Sequence, residues 1–209
     1  MSSEITFYHN PMSRGQIVRW MLEEIGAPYD TEILDYSSGM KGDEYRAINP
    51  MMKVPAIAHK GRIVTEAAAI CAYLADVFPE AGLAPREDEK ADYYRWMFFA
   101  AGPLEQATTN HAVGFEPAPD KQRMFGYGHY DLAVNTLADH LSRNDYICGA
   151  RFTAADVYVG SAVMWGTQFG ILPKHDAFLA YADRLGAREA FRRGKDEDNQ
   201  LIAEMQAAG

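Results

Sequence analysis

Apolar residues recur along this chain with two different periods, and the change from one to the other divides it in two. Ile5-Thr6-Phe7-Tyr8 reads as a first strand. Asn10-Pro11-Met12-Ser13 reads as a loop. Ile17, Val18, Met21, Leu22 and Ile25 then return every three or four positions, the mark of an amphipathic helix, and Gly26 supplies its stop. Residues 29–34 read as a second strand, and the simplest assembly is a β-α-β unit with the two strands parallel. Residues 43–48 fit a short helix. A hairpin follows, with an apolar strand opened by Pro55, a turn at Lys60-Gly61 and a second short strand. Ile70, Tyr73, Leu74, Val77 and Phe78 mark another helix, ending before Pro79.

Pro79, Gly82 and Pro85 make residues 79–86 a linker. Beyond it helical spacing dominates. Trp96, Phe99, Pro103 and Leu104 lie in one long segment, and Tyr130, Val134, Leu137 and Leu141 in a second. A third helix has the clearest start in the chain. Thr153 is its N-cap and Asp156 stands at N3, a capping box with Asp in place of Glu, flanked by Phe152 and Val157 at the hydrophobic-staple positions. Two shorter helices, over 175–186 and 196–207, close the chain. The pattern predicts a small α/β domain over 1–78, the linker, and an all-helical domain over 87–209.

With 209 residues, 48% of them hydrophobic and 23% charged, the chain can bury a sizeable core. Its net charge of −9 argues against nucleic acid or an anionic membrane as the main partner. No apolar run approaches the ~20 residues of a membrane span, and the start, Met-Ser-Ser-Glu-Ile-Thr, has no signal-like region, so a cytoplasmic location is expected. Cys71 and Cys148 are too few for a disulfide scaffold or a zinc site, and Cys71 sits in an apolar helical pattern as a core residue does. The six histidines show no ligand spacing, so no metal is expected. The Gly-rich stretch 125–129 follows no strand and lacks a Lys-Ser/Thr pair, so no nucleotide site is expected either.

Residues 51–70 hold the candidate chemistry. Proline cannot donate to a sheet ladder and pushes Val54 into an extended form, leaving the Val54 backbone free to pair with a bound peptide. Just beyond the hairpin, the first turn of the next helix offers unpaired N–H groups to an anion. A small acidic peptide suits both features.

These features, in this order, resemble the cytosolic glutathione transferase family, and the bacterial serine-type, theta-like members in particular. Met51-Met52-Lys53-Val54-Pro55 is similar to that family's loop before a cis-proline strand. Thr65-Glu66-Ala67-Ala68-Ala69-Ile70 is similar to its γ-glutamyl site, and Phe152-Thr153-Ala154-Ala155-Asp156 to the capping box of its helical domain. The resemblance implies a thioredoxin-like N-terminal domain of order βαβαββα, an all-α C-terminal domain, glutathione as cosubstrate and a homodimer. It implies an enzyme that joins the glutathione thiolate to apolar electrophiles, as in detoxification. It also implies site roles. Ser13 donates a hydrogen bond to the sulfur, with Tyr8 as the rival donor and helix capping as the alternative role of Ser13. Lys53 reaches the glycine carboxylate or is simply a solvated lysine. Val54 clamps the cysteinyl unit, Pro55 is cis, and Glu66 pairs with the γ-glutamyl ammonium. Ala67 departs from the family's common serine and removes a hydroxyl from the carboxylate seat.

The electrophile pocket is expected between Met12 and the first long helix, where Phe98, Gly102, Glu105 and Thr109 form a stripe at helical spacing, with Trp165 and Phe169 on the far side. These aromatics serve equally as helix core. Glu105 is either an active-site group or the partner of Arg95 or Arg14. Two other readings share the fold: a non-catalytic docking module, and a peroxidase or dehalogenase acting at the same site.

Overall fold

Alternation along the first strand assigns its two faces. In β1 (Ile5–His9), Ile5, Phe7 and His9 are buried on one face, while Thr6 and Tyr8 are half-buried on the other. The computed structural model describes residues 3–37 and 39–208. β1 pairs in parallel with β2 (Tyr29–Ile33) and antiparallel with β3 (Ala56–His59), which pairs antiparallel with β4 (Arg62–Thr65). The order β2-β1-β3-β4 is that of a four-stranded mixed sheet. The parallel pair needs a crossover, and α1 (Gly15–Ile25) supplies it, ending on Gly26 in a left-handed conformation whose N–H bonds Leu22 O at 3.0 Å. Lys60 and Gly61 both take positive φ (50° and 75°), the two-residue hairpin turn that matches strand twist.

α1 packs with α3 (Ala67–Val77). Val18, Met21, Leu22, Ile70 and Leu74 are fully buried there, along with Phe7 and Ile57 of the sheet, each large side chain contributing roughly 1.5–3 kcal/mol. A separate cluster joins Leu34, Met40 and Tyr45 of α2 (Asp43–Ile48) to Tyr8, Ile48 and Val54. The second strand ends one residue earlier than its apolar pattern suggests. Leu34 leaves the strand to enter this cluster, although its N–H still bonds His9 O at 2.8 Å.

The chain divides into two units, Met1–Leu83 with Ala187–Gly209, and Ala84–Gly186. The boundary at 83/84 lies inside the expected linker, but the end of the chain departs from the expected domain 87–209. One helix, α9 (Glu189–Ala208), replaces the short segment expected over 196–207, and it packs on α1. Its buried positions Ala190, Gly194 and Asp198 are four apart and carry no large apolar group, so they leave no hydrophobic stripe to read. Small size lets the two helices approach: a Cβ on Gly194 would meet Arg19 Cγ at 3.1 Å. Phe191 meets Trp20 edge to face at 5.1 Å, and Arg188 forks onto Glu24 at 2.6 and 2.7 Å.

The second unit is helical. α4 (Lys90–Phe99) runs through a π-helical segment, Ala100–Leu104, into α5 (Glu105–Ala112). Pro103 within that segment has no N–H to give, which accounts for the widened turn. α6 (Tyr130–Leu141), α7 (Ala154–Gln168) and α8 (Asp176–Gly186) complete it. The Thr153/Asp156 capping box opens α7 as expected, with Asp156 fully buried. Gly160 lets α8 approach α7, since a Cβ there would fall 2.2 Å from Leu185 Cδ1.

Candidate active site

The strand register sets the geometry. Tyr8 stands opposite Ala56, and Ala56 opposite Thr65. The loop after β1, the Val54-Pro55 step before β3 and the Glu66-Ala67 step after β4 therefore leave the sheet at the same end. Ser13, Val54, Pro55, Glu66 and Ala67 are brought to that end by backbone pairing alone.

Asn10 organises the first loop. Its side chain donates to Leu34 O at 2.8 Å and accepts from Met12 N–H at 2.9 Å, while its carbonyl accepts from Ser13 N–H at 3.1 Å and from Ser13 Oγ at 2.7 Å. Asn10 was not among the expected site residues. The Asn-Pro pair was the signal available, because an Asn side chain commonly closes a turn on the N–H two residues on. Ser13 is half-buried at the entry to α1, and its Oγ also accepts from Gly15 N–H at 2.9 Å. Met12, beside it, is 51% exposed. Tyr8 lies in the α2-side cluster, its ring 5.7 Å from that of Tyr45, and burial pushes its pKa up.

The Val54–Pro55 peptide is cis. The carbonyl of Lys53 is held by Tyr45 OH and Asn49 Nδ2, both at 2.7 Å, whereas the Lys53 side chain is exposed. Among the described residues, no backbone hydrogen bond engages Val54, so its N–H and C=O are open to a guest strand. Glu66 takes φ +66°, an arrangement that costs a non-glycine residue about 1–3 kcal/mol. It is the N-cap of α3, no side chain caps that helix, and the first α-helical bond at this end runs from Ile70 N–H to Glu66 O. The N–H groups of the first turn, Ala67 to Ala69, point out of the helix toward any anion placed there.

Met12 belongs to the first unit, and the other expected pocket residues to the second. There Glu105 and Thr109 line an open cavity of about 580 Å³ together with Gly102, Pro103 and Asn110. The stripe expected from Phe98 through Thr109 does not hold as a whole, because the π segment inserts an extra residue per turn between Phe98 and Glu105. Phe98, 73% exposed, and the exposed Phe169 lie outside this cavity, as does the half-buried Trp165 near the end of α7. Arg95, one expected partner of Glu105, lies 3.8 Å from Asp92 instead. A larger hollow of about 730 Å³, near Leu141, His175 and Arg184, holds none of the expected residues.

The surroundings of both thiols disfavour the thiolate. Burial pushes the Cys71 pKa far up and that of Cys148 up to about 12. Among the described residues, no group of three or more His, Cys, Asp or Glu is placed to hold a metal ion, and no helix is long and apolar enough to cross a membrane.

The family profile described as glutathione S-transferase, N-terminal domain, matches residues 12–77. Glutathione S-transferase hmp2 of Hypomyces subiculosus is 33% identical over 167 residues, covering 74% of this chain and 78% of that protein. Glutathione S-transferase 3 of Schizosaccharomyces pombe is 28% identical over 170 residues, covering 73% and 70%. In fold, the chain is similar to the theta class glutathione S-transferase of Xanthomonas axonopodis pv. citri, solved with glutathione bound. That likeness has a TM-score of 0.71 at 24% identity and covers 92% of this chain and 97% of that one.

Proposed function

The chain belongs to the glutathione S-transferase family, and we propose that it joins the thiolate of glutathione to apolar electrophiles, with Ser13 as the group that holds the thiolate. One observation carries this reading: the Ser13 loop, the open backbone of Val54 and the uncapped start of α3 leave the sheet at one end. Together they suit a short acidic peptide with a thiol at its centre.

A free thiol has a pKa of about 8.5, so little of it is ionised at neutral pH. Lowering that by two units takes about 2.7 kcal/mol of preference for the anion. A hydrogen bond to a charged group contributes about 1.5–3 kcal/mol, and the N-terminal end of α1 adds about 0.3–1 kcal/mol. The Ser13 hydroxyl is suited to the donation. Gly15 N–H already polarises its oxygen, and turning the proton from Asn10 O to the sulfur leaves that carbonyl still bonded to Ser13 N–H. Tyr8 is the weaker rival, because its ring is packed into the α2-side cluster.

In the same reading, Val54 pairs with the cysteinyl backbone beside Pro55, the first-turn N–H groups from Ala67 onward receive the γ-glutamyl carboxylate, Glu66 meets its ammonium, and Lys53 meets the glycine carboxylate. Met12 offers apolar surface one residue from Ser13. Glu105 and Thr109, which line one cavity, are proposed to set the choice of electrophile, which alanine variants would show as altered ratios of kcat/KM between substrates. The protein is proposed to work as a homodimer in the cytoplasm, and sedimentation tests the dimer.

The deciding experiment follows the ultraviolet absorbance of the bound thiolate against pH in wild type and Ser13→Ala. The expected result is a bound-thiol pKa about two units below that of free glutathione, lost in the variant while binding persists. An unshifted pKa in both proteins would refute the role of Ser13.

A further inference from the structure

Beneath the Ser13 loop lies a buried polar pair that the reading above does not use. His9, the last residue of β1, is 0% exposed, and its Nε2 lies 2.7 Å from Oδ1 of Asp198 in α9, itself 1% exposed. Arg19 of α1 donates from Nε to the same oxygen at 3.3 Å. Through Nη1, Arg19 also donates to Tyr29 OH at 2.8 Å and to Glu197 at 3.1 Å. His9 Nδ1 and Asp198 Oδ2 are buried without a hydrogen-bond partner. Buried polar atoms nearly always find one, so an imidazole nitrogen kept bare at the foot of the candidate site calls for a reason.

The reason lies in what Nδ1 faces. A Cβ built on Gly15 would fall 2.2 Å from His9 Nδ1, 2.8 Å from its Cε1 and 3.0 Å from Ser13 Oγ. Only glycine lets the start of α1 rest on this ring, and the N–H of that same glycine donates to Ser13 Oγ. A carboxylate only accepts, so Asp198 holds the imidazole proton on Nε2 and leaves Nδ1 bare. In the other tautomer an N–H at Nδ1 would be buried with no acceptor, and the bare Nε2 would face the Asp198 carboxylate. Burial, aided by the Arg19 charge and opposed by Asp198, lowers the His9 pKa and so favours the neutral ring.

We propose that His9 is a positioning residue for Ser13. Asp198 selects its tautomer, the bare Nδ1 lets Gly15 settle against the ring, and the Gly15 N–H then aims the Ser13 hydroxyl at the substrate thiol. The proposal rests on Ser13 as the thiolate donor, so the test carries Ser13→Ala alongside. Asp198→Asn removes the selection, because an amide donates as readily as it accepts. His9→Gln is the conservative replacement: it keeps an N–H for Asp198 and has an oxygen in place of the bare nitrogen.

Three measurements apply: ultraviolet titration of bound glutathione in all four proteins, the pH profile of kcat/KM, and the ¹⁵N spectrum of the wild-type imidazoles. The wild-type spectrum is expected to show His9 protonated on Nε2 alone. Asp198→Asn should raise the bound-thiol pKa by about one unit and lower kcat/KM about tenfold on the acid side, with KM for glutathione changed less than about threefold. His9→Gln should stay closer to wild type. A wild-type thiol pKa in Asp198→Asn, with the shift lost in Ser13→Ala, overturns this proposal and leaves Ser13 in place. A shift that survives Ser13→Ala overturns the reading of Ser13, and this proposal with it. A proton on His9 Nδ1 in the wild-type spectrum overturns the proposal even if neither other variant folds.

Discussion

Asp156→Ala should destabilise the helical unit more than any surface change, for a reason that lies in the groups it strands. Asp156 Oδ1 accepts from Ile147 N–H at 2.7 Å and from Tyr181 OH at 2.8 Å, and Oδ2 from Thr153 N–H at 2.8 Å and Thr153 Oγ at 3.1 Å. The carboxylate itself is not a net gain, since burial pushes its pKa up to about 6 against the pull of these donors. Truncation leaves Ile147 N–H and Tyr181 OH buried without an acceptor, at about 1–3 kcal/mol each, and removes one side of the capping box, at about 0.5–2 kcal/mol. The sum is centred on about 5 kcal/mol. In urea, with a slope of about 3 kcal/mol/M, the midpoint followed by circular dichroism should fall by about 1.7 M. Adding Tyr181→Phe removes one stranded donor, so the double variant should regain about 1–3 kcal/mol over Asp156→Ala alone. A loss below about 1 kcal/mol in the single variant, or additive losses in the double, would refute the account.

Four further outcomes follow from the same geometry. Ala67→Ser restores a hydroxyl beside the open N–H groups of α3 and should tighten glutathione binding by about tenfold in calorimetry; an unchanged Kd would remove the carboxylate from that seat. Lys53→Met should raise KM for glutathione about threefold at low salt, with kcat unchanged and a smaller effect at high salt, and an effect on kcat instead would count against a binding role. Gly15→Ala places a methyl against the His9 ring and should lower stability by about 1–3 kcal/mol in thermal melts; a wild-type melting temperature would contradict the contact. Burial also holds His140 of α6 below its ordinary pKa, with its bond to Ile147 O pulling the other way. The unfolded chain therefore takes up that proton first, so this contribution to stability is present above pH 6.5 and lost as pH falls below it. Melting temperatures between about pH 7 and pH 5 should drop less in His140→Gln than in wild type, and equal slopes would disprove the assignment.

Where burial is achieved by large apolar side chains, the sequence pattern and the structure agree. Ile5 and Phe7, the helix from Ile17 to Leu22, the turn at Lys60-Gly61 and the capping box at Thr153 all stand as expected. The pattern is silent where burial is achieved otherwise. The seam of α9 consists of Ala190, Gly194 and Asp198, which no hydrophobic period marks. The stripe drawn through Phe98 and Glu105 assumed an unbroken 3.6-residue turn, and the π segment around Pro103 breaks it. At the candidate site, the positions of Ser13, Val54, Pro55, Glu66 and Ala67 near strand and helix boundaries were readable, while the roles proposed for Ser13 and Ala67 came from the family resemblance. Asn10 and His9 were not, because their roles depend on Leu34 and on Asp198, 24 and 189 residues away.

That last separation bears on how the chain is made. The α/β unit is discontinuous, and the helix that covers the end of β1 is made only after the whole helical unit. Residues 1–83 emerge early but wait for α9 while the whole helical unit is synthesised, at roughly 5–20 residues per second. During those seconds the sides of β1 and α1 at His9, Arg19 and Trp20 lack the contacts that α9 supplies. A stop codon that removes only the last two turns of α9 would leave the residues proposed to hold glutathione in place. A cut upstream of Ala190 would instead release a complete sheet with one side of α1 bare.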